Sequence, residues 1–203
     1  MKKILLIILI TFIGSVIVIY SGEKVVKVTG DAPFCGSCHK WDGLIAEAAI
    51  ADNVHGSANP KGVKASCTSC HLPHDNIAKY LAVKAKNGIA EGWTTLTGNP
   101  EEKDWIANRD NARKNYTYDS SCLSCHENIL TLAKDDTELA LGSSKMHLKY
   151  EEFKNTKDKM MCTSCHKHVG HKDLGKVLFD QKDNRPKTWE EWDTQRAKLS
   201  ASK

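Results

Sequence analysis

The sequence predicts a mainly α-helical protein: one N-terminal membrane-spanning helix, followed by a domain with little strand that uses one unit twice. Three observations predict this. Residues 4–20 carry no charge, and four copies of the pattern Cys-x-x-Cys-His recur in a repeating order. The apolar residues between them return at spacings of three and four, with no strand-like alternation.

The uncharged run Ile4 to Tyr20 follows Lys2 and Lys3. A span needs roughly 17 to 25 apolar residues, whereas the core of a cleavable signal has about 7 to 15. Length therefore favours a retained anchor over residues 1–22. The sequence after the run, Ser21-Gly22-Glu23, lacks the small-x-small pattern of a cleavage site. Lys24 and Lys27 lie just beyond the run, so basic residues flank it on both sides and leave its orientation open.

The four motifs are Cys35-Gly-Ser-Cys38-His39, Cys67-Thr-Ser-Cys70-His71, Cys122-Leu-Ser-Cys125-His126 and Cys162-Thr-Ser-Cys165-His166. Each has the form of a c-type haem attachment site. Its two thiols add across the haem vinyl groups, and the adjacent histidine becomes the proximal axial ligand of the iron. Four covalently bound haem c groups use all 8 cysteines. A zinc protein with paired cysteines is the rival reading, but it gives no reason for a histidine after every second cysteine. Covalent haem is attached outside the cytosol, so the residues beyond the anchor are expected on the periplasmic side of the inner membrane.

Aromatic residues make up 7% of the chain and charged residues 27%, a thin apolar supply for the domain beyond the anchor. The haems are therefore expected to form much of the core, and the chain without them is not expected to fold. The formal net charge of +4 omits the haem propionates. It gives no support to a nucleic-acid partner, and no nucleic-acid motif is present.

The motifs fall into two similarly ordered halves, 23–75 and 122–175. In the first, Cys35–His39 is followed by His55, the second motif and His74. In the second, Cys122–His126 is followed by His147, the fourth motif, His168 and His171. This order reads as a duplicated dihaem unit. Residues 76–121 form a helical connector, in which Ile77, Tyr80, Leu81, Ile89, Trp93 and Leu96 mark a helix that ends at Gly98-Asn99-Pro100. Further helices are expected over 44–52, 102–113, 128–141 and 150–154. In the tail, 176–203, Thr188 with Glu191 forms a capping-box pattern that opens a helix bearing Trp189 and Trp192.

Four haems take up to eight axial ligands, and the motifs supply His39, His71, His126 and His166. Of the remaining histidines, His55, His74, His147 and His171 are the candidate distal ligands. His168 has no counterpart in the first half and reads as structural. Paired histidines suit iron to electron transfer, whereas an iron with an open sixth position can approach a substrate. Met146, Met160 and Met161 offer thioethers as alternative ligands, but each reads first as a gap-filler against haem.

The short N-terminal span, the four motifs, the string Cys67-Thr-Ser-Cys70-His71-Leu72-Pro73-His74-Asp75 and the pair Met146-His147 before the last motif resemble the NapC/NirT/NrfH family of membrane-anchored tetrahaem quinol dehydrogenases, and NrfH-like members most. The resemblance implies that menaquinol is oxidised at the haem nearest the membrane. Electrons then pass along the four haems to a periplasmic multihaem or molybdenum reductase, for nitrite, nitrate or another acceptor, with which the chain can form an oligomer. It also marks His55, His74, His147 and His171 as distal-ligand positions. Family members often carry a methionine two residues after the first motif histidine, where it ligates the first haem. Here that residue is Trp41, whose indole is a donor only.

Quinol oxidation releases two protons and two electrons, so it calls for a base and a positive group beside the first redox centre. Lys84 and Glu91, seven residues apart on the connector helix, share a face. They resemble in placement a lysine and an acidic residue near the quinol site of NrfH-like members. Asp75 is a further acid beside His74. A tethered electron relay without a quinol site is the alternative function, to be distinguished by the sixth ligand of the first haem. A haem-based sensor finds no output domain.

Overall fold

The computed structural model of the chain describes residues 2–38, 40–132, 145–180 and 194. Ten helices and two short 3₁₀ turns make up its regular structure, with no strand among the described residues.

Helix α1, Lys2–Val28, carries no charge from Ile4 to Gly22 and exposes every large apolar side chain there. Thr11 and Ser15 hide their hydroxyls by donating to the carbonyls of Ile7 and Thr11, at 2.9 and 2.8 Å. An apolar helix of this length that packs against no protein is suited to lipid.

The first motif leads into α2, Lys40–Ile50, which begins a turn before the expected 44. Its inward face carries Trp41, Leu44 and Ala48, and the turn after it closes on its C-terminal carbonyls. Gly56 sits so close that a Cβ there would lie 2.2 Å from the Ala49 carbonyl oxygen. Helix α3, Thr68–His71, is the second motif itself.

The connector helix runs where its periodicity placed it, as α4, Ile77–Thr97. The Asn76 side chain caps it by accepting the Lys79 N–H at 2.8 Å, and Gly98 closes it by donating to Thr94 O at 2.8 Å. The helix expected over 102–113 starts later, as α5, Asn108–Asn115. Its delay has a local cause: the Asp104 carboxylate accepts the N–H groups of Ile106 and Ala107, both at 3.0 Å, and holds a turn there.

Helix α6, Asp119–Cys125, carries the third motif, and α9, Cys162–Cys165, carries the fourth. Between them lie α7, Ile129–Leu132, and α8, Lys145–Phe153. The first is the described part of the helix expected over 128–141, and the second starts five residues before the expected 150. Helix α10, Leu174–Asp180, was not anticipated. It packs on α2, with Leu178 against Trp41 and Leu44, flanked by Trp105, Ile106, Leu174 and Val177. The tail features Thr188, Trp189, Glu191 and Trp192 lie outside the described residues.

Among the described residues the buried hydrophobic side chains are few: Trp41, Leu44, Ala48, Leu72, Tyr150 and Leu178, with Pro73 fully enclosed. So small a core offsets little of the chain's conformational entropy. The motif segments lie around it rather than within it.

Candidate functional site

Side-chain and backbone bonds stitch the four motifs into a series. Thr68, in the second motif, donates its N–H to Gly30 O at 3.1 Å, just beyond α1. The Cys35 and Cys67 thiols are neighbours, and their interaction lowers Cys35 to about 7 while it raises Cys67. The second motif meets the third through the Ser121 hydroxyl, which donates to Leu72 O, and through Tyr118 N–H on Cys70 O at 3.3 Å. The third meets the fourth through Asp119. Its carboxylate accepts Cys162 N–H at 2.9 Å and the buried Tyr150 hydroxyl at 3.0 Å. Cys122 and Cys162 are neighbours as Cys35 and Cys67 are, and their interaction lowers Cys122 and raises Cys162.

Three motif histidines each face one of the expected distal histidines. The ring centroids of His126 and His55 are 6.1 Å apart, those of His71 and His171 6.0 Å, and those of His166 and His147 6.2 Å. A metal–imidazole bond of about 2 Å on each side of one ion puts two ring centroids about 6 Å apart. The pairs therefore fit an iron between them. The His71 Nδ1 lies 2.7 Å from Tyr116 O; a carbonyl only accepts, so that nitrogen carries the proton and Nε2 keeps its lone pair. Burial holds His71, His147 and His171 below the usual imidazole range, His171 down to about 4, which keeps the rings neutral as ligands must be. The buried Nδ1 atoms of His55 and His147 have no hydrogen-bond partner.

Two of these pairs cross between the halves of the chain. His55, from the first half, faces the third motif, and His171, from the second, faces the second motif. Each is fixed locally. Asp52, 8% exposed at the end of α2, accepts the N–H groups of Val54 at 2.9 Å and His55 at 2.6 Å, and its Oδ1 lies 3.9 Å from His55 Nδ1. Lys172, next to His171, donates its N–H to Ala48 O at 2.9 Å, which brings that segment to the same end of α2. The Asp52 charge is felt at His171 as well.

His74 stands differently. Its ring meets Tyr80 edge-on at 5.8 Å, and its Nε2 lies 3.2 Å from Thr68 O. A nitrogen that donates to a carbonyl has no lone pair for a metal. His39 lies outside the described residues, and His168 is exposed. Trp41 is 4% exposed in the apolar core.

Lys84 projects from α4 to the end of α1. Its ammonium donates to Thr29 O at 2.8 Å, and the Cys35 thiol contacts the same oxygen at 3.8 Å. Partial burial holds Lys84 below the usual lysine range, a shift the neighbouring Cys35 opposes. Glu91 lies two turns along the same face and is exposed. Asp75 is engaged elsewhere: it accepts from Lys79 Nζ at 2.7 Å and Ser120 Oγ at 3.2 Å, and the Lys79 bond lowers its pKa.

Asp52 and Asp119 are the residues the motif search passed over. Asp52 had a signal in its spacing, since it stands three residues before a candidate histidine, where a carboxylate closes a turn on backbone N–H groups; Asp119 had none, because its partners Tyr150 and Cys162 lie far along the chain.

A membrane-compatible helix, a domain with no strand among its described residues and haem-attachment motifs strung in series define a membrane-anchored c-type cytochrome, a carrier of electrons. The chain belongs to the NapC/NirT cytochrome c family, whose N-terminal region model matches residues 1–176. It is 26% identical to the cytochrome c-type protein NapC of Escherichia coli K12 over 175 residues, covering 81% of this chain and 80% of that one. It is 27% identical to the denitrification system component NirT of Stutzerimonas stutzeri over 173 residues, with 81% and 80% covered. The cytochrome c-type protein TorC of E. coli K12 is 29% identical over 154 residues, which are 72% of this chain and 36% of TorC. No solved structure matches the chain.

Proposed function

We propose that this protein is a tetrahaem menaquinol dehydrogenase of the inner membrane, with its haem domain in the periplasm. It passes electrons to a periplasmic reductase, nitrite reductase in the first instance, with nitrate or another terminal acceptor as alternatives. The observation that carries this reading is the shared carbonyl of Thr29, which places the Lys84 ammonium beside the first haem-attachment thiol at the end of the membrane helix.

When bound, haem supplies one-electron acceptors in series. The ligands proposed are the pairs His71–His171, His126–His55 and His166–His147, with His39 as proximal ligand of the first iron. His74 is turned toward Tyr80 and Thr68 and faces no motif histidine among the described residues; a first iron held by His39 alone would favour quinol chemistry over simple relay. The mirrored Cys35–Cys67 and Cys122–Cys162 contacts support a dihaem unit used twice.

Menaquinol loses two protons and two electrons as it becomes menaquinone. Lys84, held at the membrane end of the domain, favours negative charge on the quinol oxygen as its proton leaves. Glu91, exposed on the same face, accepts that proton and releases it to water.

The test uses the full-length, haem-loaded protein in liposomes containing menaquinol. Haem reduction by menaquinol at rates that saturate with quinol is the expected result. If dithionite reduces all four haems while menaquinol reduces none, the chain is a relay.

A further inference from the structure

Helix α4 presents an unusual face. Ile77, Leu81, Ile89, Trp93 and Leu96 are 70, 43, 74, 69 and 83% exposed. At 100° per residue they fall within one apolar half of the helix, and the positions between them on that half are alanine or glycine apart from Thr95. A methyl group built at Gly88 or Gly92 would meet nothing within 4 Å. The opposite side, with Tyr80, Val83, Lys84 and Asn87, is half-buried against the protein. Lys79 and Lys86 border the apolar half.

So continuous an apolar surface is costly in water. A helix with one apolar half, basic residues at its border and a tryptophan within it suits the plane of a membrane interface. Its surroundings select the same occupant. The bond from Lys84 to Thr29 O, one residue past the end of α1, holds the middle of α4 beside the point where the anchor leaves the bilayer.

We propose that α4 lies along the bilayer surface, with Ile77, Leu81, Ile89, Trp93 and Leu96 set among the lipid headgroups and upper acyl chains. The chain then holds the membrane by two contacts, one that spans it and one that rests on it. The second fixes the height and tilt of the haem domain, and it brings Lys84 and Glu91 to the depth of a quinol headgroup. This inference rests on α1 as a membrane span and not on the quinol site, so its failure would leave menaquinol oxidation to be judged by its own assay.

The experiment places the photoreactive residue p-benzoylphenylalanine singly at Ile89, Trp93 and Ala90 in the full-length, haem-loaded protein in nanodiscs of phosphatidylethanolamine and phosphatidylglycerol. After illumination, the mass of the protein is measured. The expected product at 89 and 93 is a mass increase of one phospholipid, and at 90, on the polar side, no such product. Adducts to a second copy of the chain, adducts to the nanodisc scaffold alone, no adduct at either position, or equal lipid adducts at all three would each overturn the proposal. With two probe positions on the apolar half, a single variant that fails to load haem does not spoil the test.

Discussion

His71 and His171 come from opposite halves of the chain and face each other at 6.0 Å, with ring planes 63° apart. The His55–His126 pair is crossed in the same way at 67°, whereas His147 and His166 are within 13° of parallel. Crossed and parallel ligand planes split the iron orbitals differently. Electron paramagnetic resonance should therefore resolve two strongly anisotropic low-spin irons and one rhombic one. His171→Ala should turn one of the anisotropic signals high-spin and leave four haems attached, since attachment depends on the thiols. An unchanged low-spin spectrum would show that His171 is not a ligand.

Lys84→Met and Glu91→Gln, made singly, should each keep four haems and full reduction by dithionite. Menaquinol-driven reduction should fall by about a hundredfold in Glu91→Gln, the usual effect of losing a positioned base, and its pH dependence should flatten. Lys84→Met also loses the bond to Thr29 O, so its quinol rate should fall and its first haem alone should change potential. Wild-type quinol rates in both variants would mark this face of α4 as a solvated one.

The Asp52 carboxylate is buried beside His55 and close enough to bear on His171. Its negative charge favours the ferric form of the two irons those residues are proposed to hold. Asp52→Asn, whose side-chain oxygen can still accept from Val54 and His55, should raise two of the four potentials. An effect of about tenfold in the oxidised-to-reduced ratio is about 59 mV for a one-electron couple. Asp52→Ala should also lose the turn, at a cost of about 2–3 kcal/mol. Potentiometric titration followed optically separates the outcomes, and four unmoved potentials in Asp52→Asn would leave Asp52 a purely structural role.

Trp41→Ala should destabilise the haem-loaded protein by about 3–5 kcal/mol, the range for truncating a buried tryptophan, as read by denaturant unfolding. Its low-spin spectrum should stay unchanged, because Trp41 packs against Leu44 and Leu178. A new high-spin signal in the folded variant would instead tie Trp41 to an iron.

The span, the connector helix and the attachment chemistry were legible in the sequence because each has a local signature: an uncharged run, a helical period, a fixed spacing of thiols and imidazole. The pairing of histidines was not. The order of motifs leaves open which haem each further histidine serves, and only the fold brings His55, just past α2, to face His126 of the third motif. Helix α10 escaped for a similar reason. Its seven residues show barely two turns of period, and its stability comes from Leu178 against a tryptophan far away in the chain. Trp41 was read for what it cannot ligate, while its burial depended on that unforeseen helix.

If the domain lies, as proposed, in a compartment that oxidises thiols, Cys35 beside Cys67 and Cys122 beside Cys162 would be open to cross-linking in a chain without haem. Either one would take a sulfur from each of two motifs and leave both unable to hold their cofactor. The collapsed chain is thus a poor substrate for its own maturation. Adding haem while the motifs are still apart and their sulfurs reduced would avoid both cross-links, so that assembly would run from covalent modification to folding and not the reverse.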